Sequence, residues 1–434
     1  MKNCAFTIVA KNYIGLARIL EKSFKDNNPE TDFFVFVVDE FDDMTNATNL
    51  PDNLIFARSI LEIPDDKWID MSFKYDLTEF CTSIKPTCFM HLLKRTEYEK
   101  IIYLDPDIYV YNSFDVIFKM LDEQSIVITP HFSIIQDIHL GETPERDLMG
   151  NGVFNLGFCA IKRSEIAKRM LTWWSERLFD KCYIDSYETY FTDQKWMDFL
   201  PCFFNSDELL VTRHLGMNIA PWNFFERKIF LKNEKLFVTS RNRETDTEKV
   251  VLPVLFVHYS GYNYNELKKG NVIQNNIASL KKYEDVELLT NFYARAIQEN
   301  SFIFDEFIKE KYKYGVFDNG VTIKKIHRRL YRALKNKGQV VHTPFSSEER
   351  SFYSSLQKLG MTKETPINIE RTTKFTLQGF ESKLMLFNRL MRLIYRLLGF
   401  ERYLLLIRVF KPFSRYESQI HLLSKDYDKE NIIF

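Results

Sequence analysis

Two aspartates separated by one residue follow an apolar run in this chain. Asp105-Pro106-Asp107 comes directly after residues 101–104 (IIYL). Two carboxylates held this close repel each other, which raises their pKa values, and a divalent cation removes that cost. Their hard oxygen ligands suit Mg²⁺ or Mn²⁺, ions that also bind phosphate oxygens. The position after a strand favours a metal site, whereas the alternative is a turn with two solvated aspartates.

A histidine and a glycine follow another apolar run. His258 lies near the end of residues 254–259 (VLFVHY), and Gly261 comes three positions later. A lone histidine is more often structural than a ligand, but a strand end can share a sheet edge with the aspartates. An imidazole added to two carboxylates favours Mn²⁺ over Mg²⁺. Gly261 would let the backbone approach a phosphate closely.

Two further pairs of residues are of types that can contact a sugar. In Asp193-Gln194, the carboxylate can accept a hydrogen bond from a sugar hydroxyl and the amide can lie beside an anomeric centre. The alternative is an aspartate that caps a helix. Asn155 and Gly157 stand at a predicted strand start in residues 154–161 (FNLGFCAI), where the alternative is a strand that tolerates a glycine.

Lys85 precedes Pro86, a residue that suits the first position of a helix because it has no N–H to leave unpaired. A cation beside a helix N-terminus is a good diphosphate contact. A lone lysine is usually solvent-exposed, and that is the alternative here.

The elements that must position these residues alternate along the chain. Apolar runs predict strands at residues 5–10, 32–38, 101–104, 125–129, 154–161 and 254–259, with helical spacing between several of them and a helix over residues 193–200. Such alternation predicts an α/β fold with a mostly parallel sheet flanked by helices. Ligands of such sheets bind at the carboxyl ends of the strands. We place the end of this domain near residue 320, with a helical C-terminal region over residues 321–434.

The C-terminal region contains a basic amphipathic segment, residues 383–415. It has eight lysines or arginines and one acid, Glu401, and its apolar residues recur at helical spacing. Three arginines fall on one side: Arg389, Arg392 and Arg396. The helix should be interrupted near Gly399 and end by Pro412. Such a helix binds at an anionic membrane interface, and the alternative is a helix packed on the protein with solvated arginines.

Composition excludes some classes of partner and favours one compartment. The 59 basic and 59 acidic residues balance, so the chain has no global attraction for nucleic acid. Its six cysteines form no C-x-x-C pair and are predicted to be reduced, buried thiols, which favours the cytosol. The N-terminal apolar run does not fit a signal peptide, and no run reaches the roughly 18 apolar residues of a membrane span.

Taken together and in order, these motifs resemble the GT-A glycosyltransferases. The resemblance is greatest to glycosyltransferase family eight, the glycogenin and lipooligosaccharide galactosyltransferase group, and to bacterial relatives that build surface polysaccharides. The matching segments cover about residues 4 to 265 and read VAKNY (9–13), SIKP (83–86), YLDPDI (103–108), FNLG (154–157), DQ (193–194), NIAPWN (218–223) and HYSG (258–261). The ordered set is specific, although each motif is weak alone.

The resemblance implies a GT-A, Rossmann-like fold and a role for each matching residue. Asp105, Asp107 and His258 would hold the metal, usually Mn²⁺. The residues implied near the nucleotide and its diphosphate are Ala10, Asn12, Lys85 and Gly261. The residues implied around the donor sugar are Asn155, Gly157 and Asp193, with Gln194 at the face where a nucleophile is expected.

Two departures from the family concern the base and the diphosphate. Ala10-Lys11 stands where the family often has an acidic pair that binds uracil, and Tyr264 replaces a family lysine. UDP is therefore favoured but the base is left open.

The sequence predicts a glycosyltransferase that moves a sugar from a nucleotide diphosphate to a glycan or lipid-linked glycan, with retention of configuration. The setting is surface polysaccharide assembly, as in capsule or lipopolysaccharide, at the cytoplasmic membrane face. One rival is a metal-dependent nucleotidyl- or phosphotransferase, although no glycine-rich phosphate loop is present. Another is a non-catalytic, membrane-bound sugar-binding protein on the same fold.

Overall fold

A computed structural model describes residues 1–41, 50–135, 143–241, 250–276, 280–363 and 379–423. The chain divides into two compact units. The first consists of Met1–Pro64 and Leu77–Lys313, and the second of Asp65–Asp76 with the chain from Tyr314 onward.

The described residues form fourteen strands, seven of which belong to one large sheet. They are β1 (Lys2–Val9), β2 (Asp32–Val37), β3 (Leu54–Phe56), β4 (Tyr98–Leu104), β5 (Ile108–Val110), β6 (Ile126–Pro130), β7 (Phe154–Lys162), β8 (Ile184–Asp185), β9 (Tyr190–Phe191), β10 (Leu209–Val211), β11 (Arg227–Lys232), β12 (Lys235–Ser240), β13 (Leu252–Pro253) and β14 (Phe256–His258).

The helices alternate with these strands, and after β14 the described residues form helices and no further strand. They are α1 (Ile14–Asn27), α2 (Ala57–Ile60), α3 (Asp65–Lys74), α4 (Leu77–Ser83), α5 (Lys85–Lys94), α6 (Asp115–Glu123), α7 (Glu145–Asn151), α8 (Glu165–Lys181), α9 (Gln194–Met197), α10 (Leu200–Phe203), α11 (Tyr264–Lys268), α12 (Glu287–Glu299), α13 (Ser301–Phe307), α14 (Lys325–Asn336), α15 (Phe352–Lys358) and α16 (Phe380–Phe410).

The large sheet has seven strands in the order β10-β6-β7-β4-β1-β2-β3. Its neighbours are parallel except around β7, which runs antiparallel to both β4 and β6. The predicted mostly parallel α/β sheet is thereby confirmed, as is the helical character of the C-terminal region.

Helices cover both faces of this sheet, which explains its continuous apolar strands. Ala5 of β1 and Phe24 of α1 belong to the same buried hydrophobic cluster on one face of the sheet. The next residue, Phe6, points to the other face, where its ring meets Phe89 of α5 edge-to-face at 4.8 Å. Side chains alternate between faces along a strand, so β1 contributes to both layers of the core.

Two short strands outside the large sheet form a pair that matters for the site. β5 pairs antiparallel with β14, and this register sets His258 opposite Ile108. We expected residues 254–259 to end at the edge of the large sheet, and that expectation was wrong. The chain leaves the sheet after Asp105, because Pro106 has no N–H with which to continue the ladder.

Two local expectations are corrected. The helix predicted over residues 193–200 is two short helices, α9 and α10, because Pro201 in the first turn of α10 cannot donate to the turn before it. All six cysteines lie within the described residues and are free thiols, but Cys202 is exposed and Cys81 partly so. The sequence had predicted that all six are buried, which local composition cannot decide.

The second unit brings the short segment 65–76 against the C-terminal chain. Arg328 of α14 is buried and donates to the backbone oxygens of Phe73 and Tyr75, at 2.6 and 2.7 Å. These carbonyls at and just after the end of α3 have no partner within that helix, so the guanidinium satisfies them.

The basic segment forms α16, which is interrupted at Gly399, where φ is 74°. Among the described residues, no helix is both long and apolar enough to cross a membrane.

Candidate functional site

Two carboxylates and one imidazole converge where the large sheet ends. Asp105 and Asp107 follow β4, and the β5–β14 pair carries His258 to them. The Nε2 atom of His258 lies 3.1 Å from Oδ1 of Asp107 and 3.7 Å from Oδ2 of Asp105. One ligand atom from each residue lies within 4.8 Å of the other two. The structure therefore brings together the three residues that the sequence predicts as metal ligands.

Two tyrosines fix the carboxylates of this cluster. The hydroxyl of Tyr103 donates to Oδ1 of Asp105 at 2.5 Å, and that of Tyr264 donates to Oδ2 of Asp107 at 3.0 Å. Each aspartate then has one oxygen bound to a tyrosine and the other beside Nε2 of His258. The remaining oxygens and Nε2 form a mixed oxygen and nitrogen donor set, which fits a divalent ion such as Mn²⁺.

The electrostatics of the cluster reflect its burial. Burial raises the pKa of Asp105, although Lys85 and His258 oppose it. Burial alone would also raise the pKa of Asp107, but His258 outweighs it and holds that pKa below its usual range. Burial would lower the pKa of His258, yet the charges of Asp107 and Asp105 raise it. His258 thus stabilises the charge of both carboxylates, whereas Asp107 and Asp105 repel each other.

The opposite side of the imidazole is held by β7. Nδ1 of His258 lies 3.3 Å from Oδ1 of Asn155, and Asn218 donates to that same oxygen at 3.0 Å. A hydrogen bond to one ring nitrogen fixes the tautomer and leaves the other nitrogen for a ligand. Asn155 is thus placed behind the predicted metal ligand.

Gly157 is required by the packing of this imidazole. A Cβ atom at residue 157 would lie 2.5 Å from Cε1 of His258 and 2.6 Å from Nδ1. The amide of Asp105 also donates to the Gly157 carbonyl at 2.8 Å. The absence of a side chain at Gly157 therefore makes room for His258 beside β4.

Lys85 and Asp193 form a buried ion pair beside the cluster. Nζ of Lys85 lies 2.5 Å from Oδ2 of Asp193 and donates to the Leu156 carbonyl at 2.8 Å. It also lies 4.1 Å from the centre of the Tyr103 ring. Burial would lower the pKa of Lys85, but the charges of Asp193 and Asp105 raise it. The sequence alternative of a solvent-exposed lysine is therefore wrong, because the ammonium is buried with its partner.

A cleft of about 270 Å³ opens above the two aspartates. One wall is apolar and comes from the end of β1 and the start of α1, and the other comes from α4. The lining residues include Val9, Ala10, Tyr13, Thr78, Tyr103 and Tyr264. Among the described residues that line it, Asp105 and Asp107 are the carboxylates. A cleft at the carboxyl ends of parallel strands is where α/β sheets bind ligands.

The remaining predicted residues lie at varying positions around this cleft. Ala10 lines it, whereas Asn12 lies in the next turn and its buried Oδ1 has no hydrogen-bond partner among the described residues. Gly261 adopts φ of 78° just after β14. Gln194 is buried and donates from Nε2 to the Asn151 carbonyl at 2.7 Å. Their roles toward a nucleotide or a sugar stay predictions.

The sequence analysis missed two tyrosines of this site and one buried carboxylate outside it, next to Lys11. Tyr103 precedes Asp105 by two positions, and the period of a strand, which sets both on one face, could have revealed it. Tyr264 had been noted only as a departure from the family. Asp39, at the end of β2, is buried and accepts a hydrogen bond from the Lys11 amide at 2.8 Å. Burial raises the pKa of Asp39 to about 6.

Comparisons with known proteins find distant structural likeness. No protein-family model matches the chain, and no curated protein matches it. Among solved structures, a galactosyltransferase LgtC in complex with donor and acceptor sugar analogues is 21% identical, with 59% of this chain and 87% of that chain covered and a TM-score of 0.34. A mouse xyloside xylosyltransferase 1 is 14% identical, with 60% and 98% covered and a TM-score of 0.35.

A glycosyltransferase involved in glycosylation of the major capsid of PBCV-1 is 11% identical, with 61% of this chain and 96% of that chain covered and a TM-score of 0.32. All three are glycosyltransferases by name. Scores and identities this low describe a remote likeness, so the function proposed below is built on the geometry of the site.

Proposed function

We propose that this chain is a metal-dependent glycosyltransferase. It moves a sugar from a nucleotide diphosphate, with UDP favoured, to a glycan or lipid-linked glycan acceptor. The observation that carries the proposal is the cluster of Asp105, Asp107 and His258, with two carboxylates fixed by tyrosines at the floor of a cleft. Such a floor suits a substrate that has several phosphate oxygens and needs a divalent ion.

Asp105, Asp107 and His258 would hold Mn²⁺ or Mg²⁺. The bound ion would act as a Lewis acid toward the diphosphate, where negative charge increases as the sugar leaves. Tyr103 and Tyr264, which donate to Asp105 and Asp107, would keep the other carboxylate oxygens available to the ion. Lys85 adds positive charge near Asp105, although its direct partner is Asp193.

The walls of the cleft support a nucleotide donor. The apolar wall, which includes Val9, Ala10 and Tyr13, gives a surface on which a flat base can pack, and Tyr13 is partly exposed there. Aromatic and apolar faces bind bases without requiring one particular base. Because residue 10 is an alanine and not an acid, UDP is the favoured nucleotide but the identity of the base is left open.

We propose transfer with retention of configuration. Among the described residues that line the cleft, Asp105 and Asp107 are the only carboxylates, and both are assigned to the metal. The acceptor oxygen would bond to the anomeric carbon as the bond from that carbon to the phosphate oxygen breaks. The acceptor proton would pass to the departing phosphate oxygen, so no separate general base is needed. Asp193 and Gln194 would border the sugar, as would Asn155 and Gly157.

The setting that we propose is surface polysaccharide assembly at the cytoplasmic face of a membrane. The chain would be a peripheral protein bound to an anionic surface through residues 383–415. The support is the charge of that segment, which has eight basic side chains and one acidic one. Failure of the full chain to sediment with vesicles that contain phosphatidylglycerol would contradict this setting.

The proposed chemistry is tested by a hydrolysis screen of nucleotide sugars with Mn²⁺, comparing wild type with Asp107→Ala. We expect wild type to cleave one donor slowly in the absence of acceptor. We expect Asp107→Ala to lose about 100-fold or more, because a Lewis acid supplies several kcal/mol. The matched control is Asp207→Ala, which removes an exposed aspartate outside the site and should leave the rate unchanged.

The anomeric configuration of the released sugar, read by NMR, tests retention separately. Cleavage at equal rates in wild type and Asp107→Ala would contradict the metal-dependent mechanism. If no donor is cleaved and calorimetry finds no binding of UDP or GDP with Mn²⁺, the proposed function is wrong. Transfer of a nucleotidyl or phosphoryl group instead of a sugar would identify the rival enzyme class.

A further inference from the structure

The surface formed by α8, α9 and α10 carries a continuous row of aromatic rings. Phe199 and Phe203 are stacked, with 5.8 Å between the ring centres and 8° between the ring planes. Phe203 also meets Trp173 of α8 at 5.3 Å, and Trp173 meets Trp196 of α9 at 6.5 Å. We call these four side chains the aromatic row. Rings from three helices and the turn between α9 and α10 thus form one surface.

The two phenyl rings of the aromatic row are exposed to solvent. Phe199 is 50% exposed and Phe203 is 47% exposed, while Trp173 and Trp196 are partly exposed. Among the described residues from 154 to 230, the large apolar side chains that stay exposed are these two phenylalanines and Tyr187, and all three are aromatic. Exposed rings without exposed aliphatic side chains favour a ligand that has flat apolar faces of its own.

Polar and charged groups surround Trp173. A shallow hollow of about 360 Å³ lies along α8, and Trp173 is its aromatic side chain. The other lining residues all carry hydrogen-bonding groups, and they are Glu165, Lys168, Arg169, Thr172 and Glu176. The guanidinium of Arg177 lies 5.6 Å from the centre of the Trp173 ring and adds a further donor. A ring beside donors and acceptors suits a molecule that has both apolar faces and hydroxyl groups.

The charge of this surface narrows the class of ligand. Residues 165–208 contain nine aspartates or glutamates and five lysines or arginines. This acidic excess repels nucleic acid, an anionic polysaccharide or an anionic bilayer. A neutral glycan fits better, because the negative face of an aromatic ring attracts the C–H groups of a sugar ring. Its hydroxyls can donate to the carboxylates and accept from the cations.

The aromatic row shares its helices with the sugar side of the candidate site. Trp174, the neighbour of Trp173, is buried, and its indole N–H donates to the Asp193 carbonyl at 3.1 Å. Trp196 follows Gln194 by two positions on α9. Asp193 and Gln194 are proposed to border the donor sugar. A glycan bound at the row would therefore lie on the same elements that position the proposed sugar end of the cleft.

We propose that the aromatic row is a binding site for a neutral glycan chain. Sugar units of the acceptor that are remote from its reacting end stack on these rings and take no part in the bond changes. The four rings are not among the described residues that line the cleft above Asp105 and Asp107, so the site is separate from the metal cluster. This inference rests on the proposed function, because it specifies the acceptor as a neutral glycan of several units.

Binding is tested with the full chain on an array of neutral and anionic oligosaccharides of increasing length, without donor and without Mn²⁺. Wild type should bind neutral chains, and more tightly as they lengthen. Phe199→Leu with Phe203→Leu keeps two apolar side chains but removes the rings. Calorimetry with the chain that wild type binds best should show that this variant binds about tenfold or more weakly.

Two controls show whether the rings themselves matter. Phe199→Tyr with Phe203→Tyr keeps both rings and should bind as wild type. Phe302→Leu removes a ring on α13 that is 82% exposed and lies outside the aromatic row, and it should also bind as wild type. Because the substituted side chains are exposed, thermal unfolding of all three variants should match wild type.

Transfer kinetics separate this site from the reacting centre. With the bound glycan as acceptor, the double leucine variant should raise KM for the long chain by about tenfold and leave kcat near wild type. KM for the shortest acceptor of the same glycan should change little, since a short acceptor does not reach the row. A merely structural role would change KM and kcat alike for both acceptors.

Several outcomes would overturn the glycan site. One is wild type that binds no neutral chain, and if it still hydrolyses a nucleotide sugar, this inference alone fails. Another is a double leucine variant that binds as tightly as wild type. Preference for anionic chains, or a dimer that the double leucine variant dissociates, would assign the rings to a different partner. Glycan binding that depends on the rings, in a protein that hydrolyses no donor, would support the site and contradict the proposed activity.

Discussion

Two groups of charges lie close together in this site but are satisfied in different ways. Asp105 and Asp107 have a tyrosine on one oxygen each and direct the other toward His258, beside a cleft. Lys85 and Asp193 instead pair with each other and are buried. The first group keeps ligand atoms available, whereas the second has used its charges internally. This difference supports the proposal that the first group binds the metal and the second group positions its neighbours.

The buried pair also contacts a residue that orients Asp105 at the floor of the cleft. Lys85 touches the Tyr103 ring, and Tyr103 donates to Asp105. The buried pair can therefore orient Asp105, a proposed metal ligand, through one aromatic ring. A mutation in the cluster of Asp105, Asp107 and His258 should therefore change activity most. A mutation in the pair of Lys85 and Asp193 should change stability most.

The largest expected effect on stability is that of Lys85→Met. It leaves the carboxylate of Asp193 buried without its cation, which typically costs about 3–5 kcal/mol. The measurement is the free energy of unfolding in denaturant. Lys94→Met is the matched control, because Lys94 pairs with Glu62 on the surface and exposed pairs contribute about 1 kcal/mol or less.

Replacing both members tests whether the pair is satisfied internally. Lys85→Met with Asp193→Leu should recover much of the lost stability, since no charge is then left unpaired. If Lys85→Met lowers the free energy of unfolding no more than Lys94→Met does, the pair of Lys85 and Asp193 is not a buried, internally satisfied pair. The contrast between this pair and the metal-binding cluster would then be wrong.

A smaller effect is expected for Gly157→Ala on the other side of the comparison. The added Cβ would meet the His258 ring at 2.5 Å, and such overpacking costs about 1–3 kcal/mol. Because the ring must move, Mn²⁺ affinity should fall by about tenfold or more, as seen when groups that orient a metal ligand are lost. Calorimetric titration with Mn²⁺ measures this directly.

Gly150→Ala is the control for that substitution, because a Cβ there meets no atom within 4 Å and the residue lies in α7. It should leave Mn²⁺ affinity unchanged. Unaltered metal binding in Gly157→Ala would show that His258 is not a ligand.

The last expected effect appears only when the pH is changed, and it concerns Asp39, a buried carboxylate that accepts hydrogen bonds from the backbone N–H groups of Lys11 and Lys313. Its pKa is about 6, above the value of about 3.9 in an unfolded chain. The folded protein therefore holds this proton more tightly, so stability is lost as pH rises from about 4 to about 6 and is level above that range. The loss should be about 3 kcal/mol, at 1.36 kcal/mol for each pKa unit.

Asp39→Asn isolates this contribution, since the amide keeps an acceptor for the Lys11 amide but does not titrate. The difference in unfolding free energy between wild type and Asp39→Asn should shrink or reverse in favour of Asn across this pH range. A difference that does not vary with pH would contradict the raised pKa of Asp39.

Much of the site could be predicted because its signals are local. Asp105 and Asp107 follow a buried apolar run, so their place at a strand end could be inferred from neighbouring residues alone. The basic helix α16 and its break at Gly399 were equally visible, because helical spacing and a glycine are properties of adjacent positions. The alternation of strands and helices predicted the mostly parallel sheet in the same way.

Other features were decided by residues far apart in the chain. His258 reaches the aspartates through the pairing of β14 with β5 and not through the large sheet. Tyr264 meets Asp107 across 157 positions, and Lys85 meets Asp193 across 108. No local pattern encodes such contacts, because each depends on how whole strands and helices pack.

The sequence by itself thus determined the main strands of the large sheet, several of the helices, and the groups at a strand end that can bind a metal. Periodicity and the buried or exposed preference of each side chain are sufficient for that. Only the tertiary structure decided which charges face the cleft and which neutralise one another, because that depends on the direction of each side chain and on burial. Asp193 and Asp107 are the same residue type, and their surroundings alone give them different predicted roles.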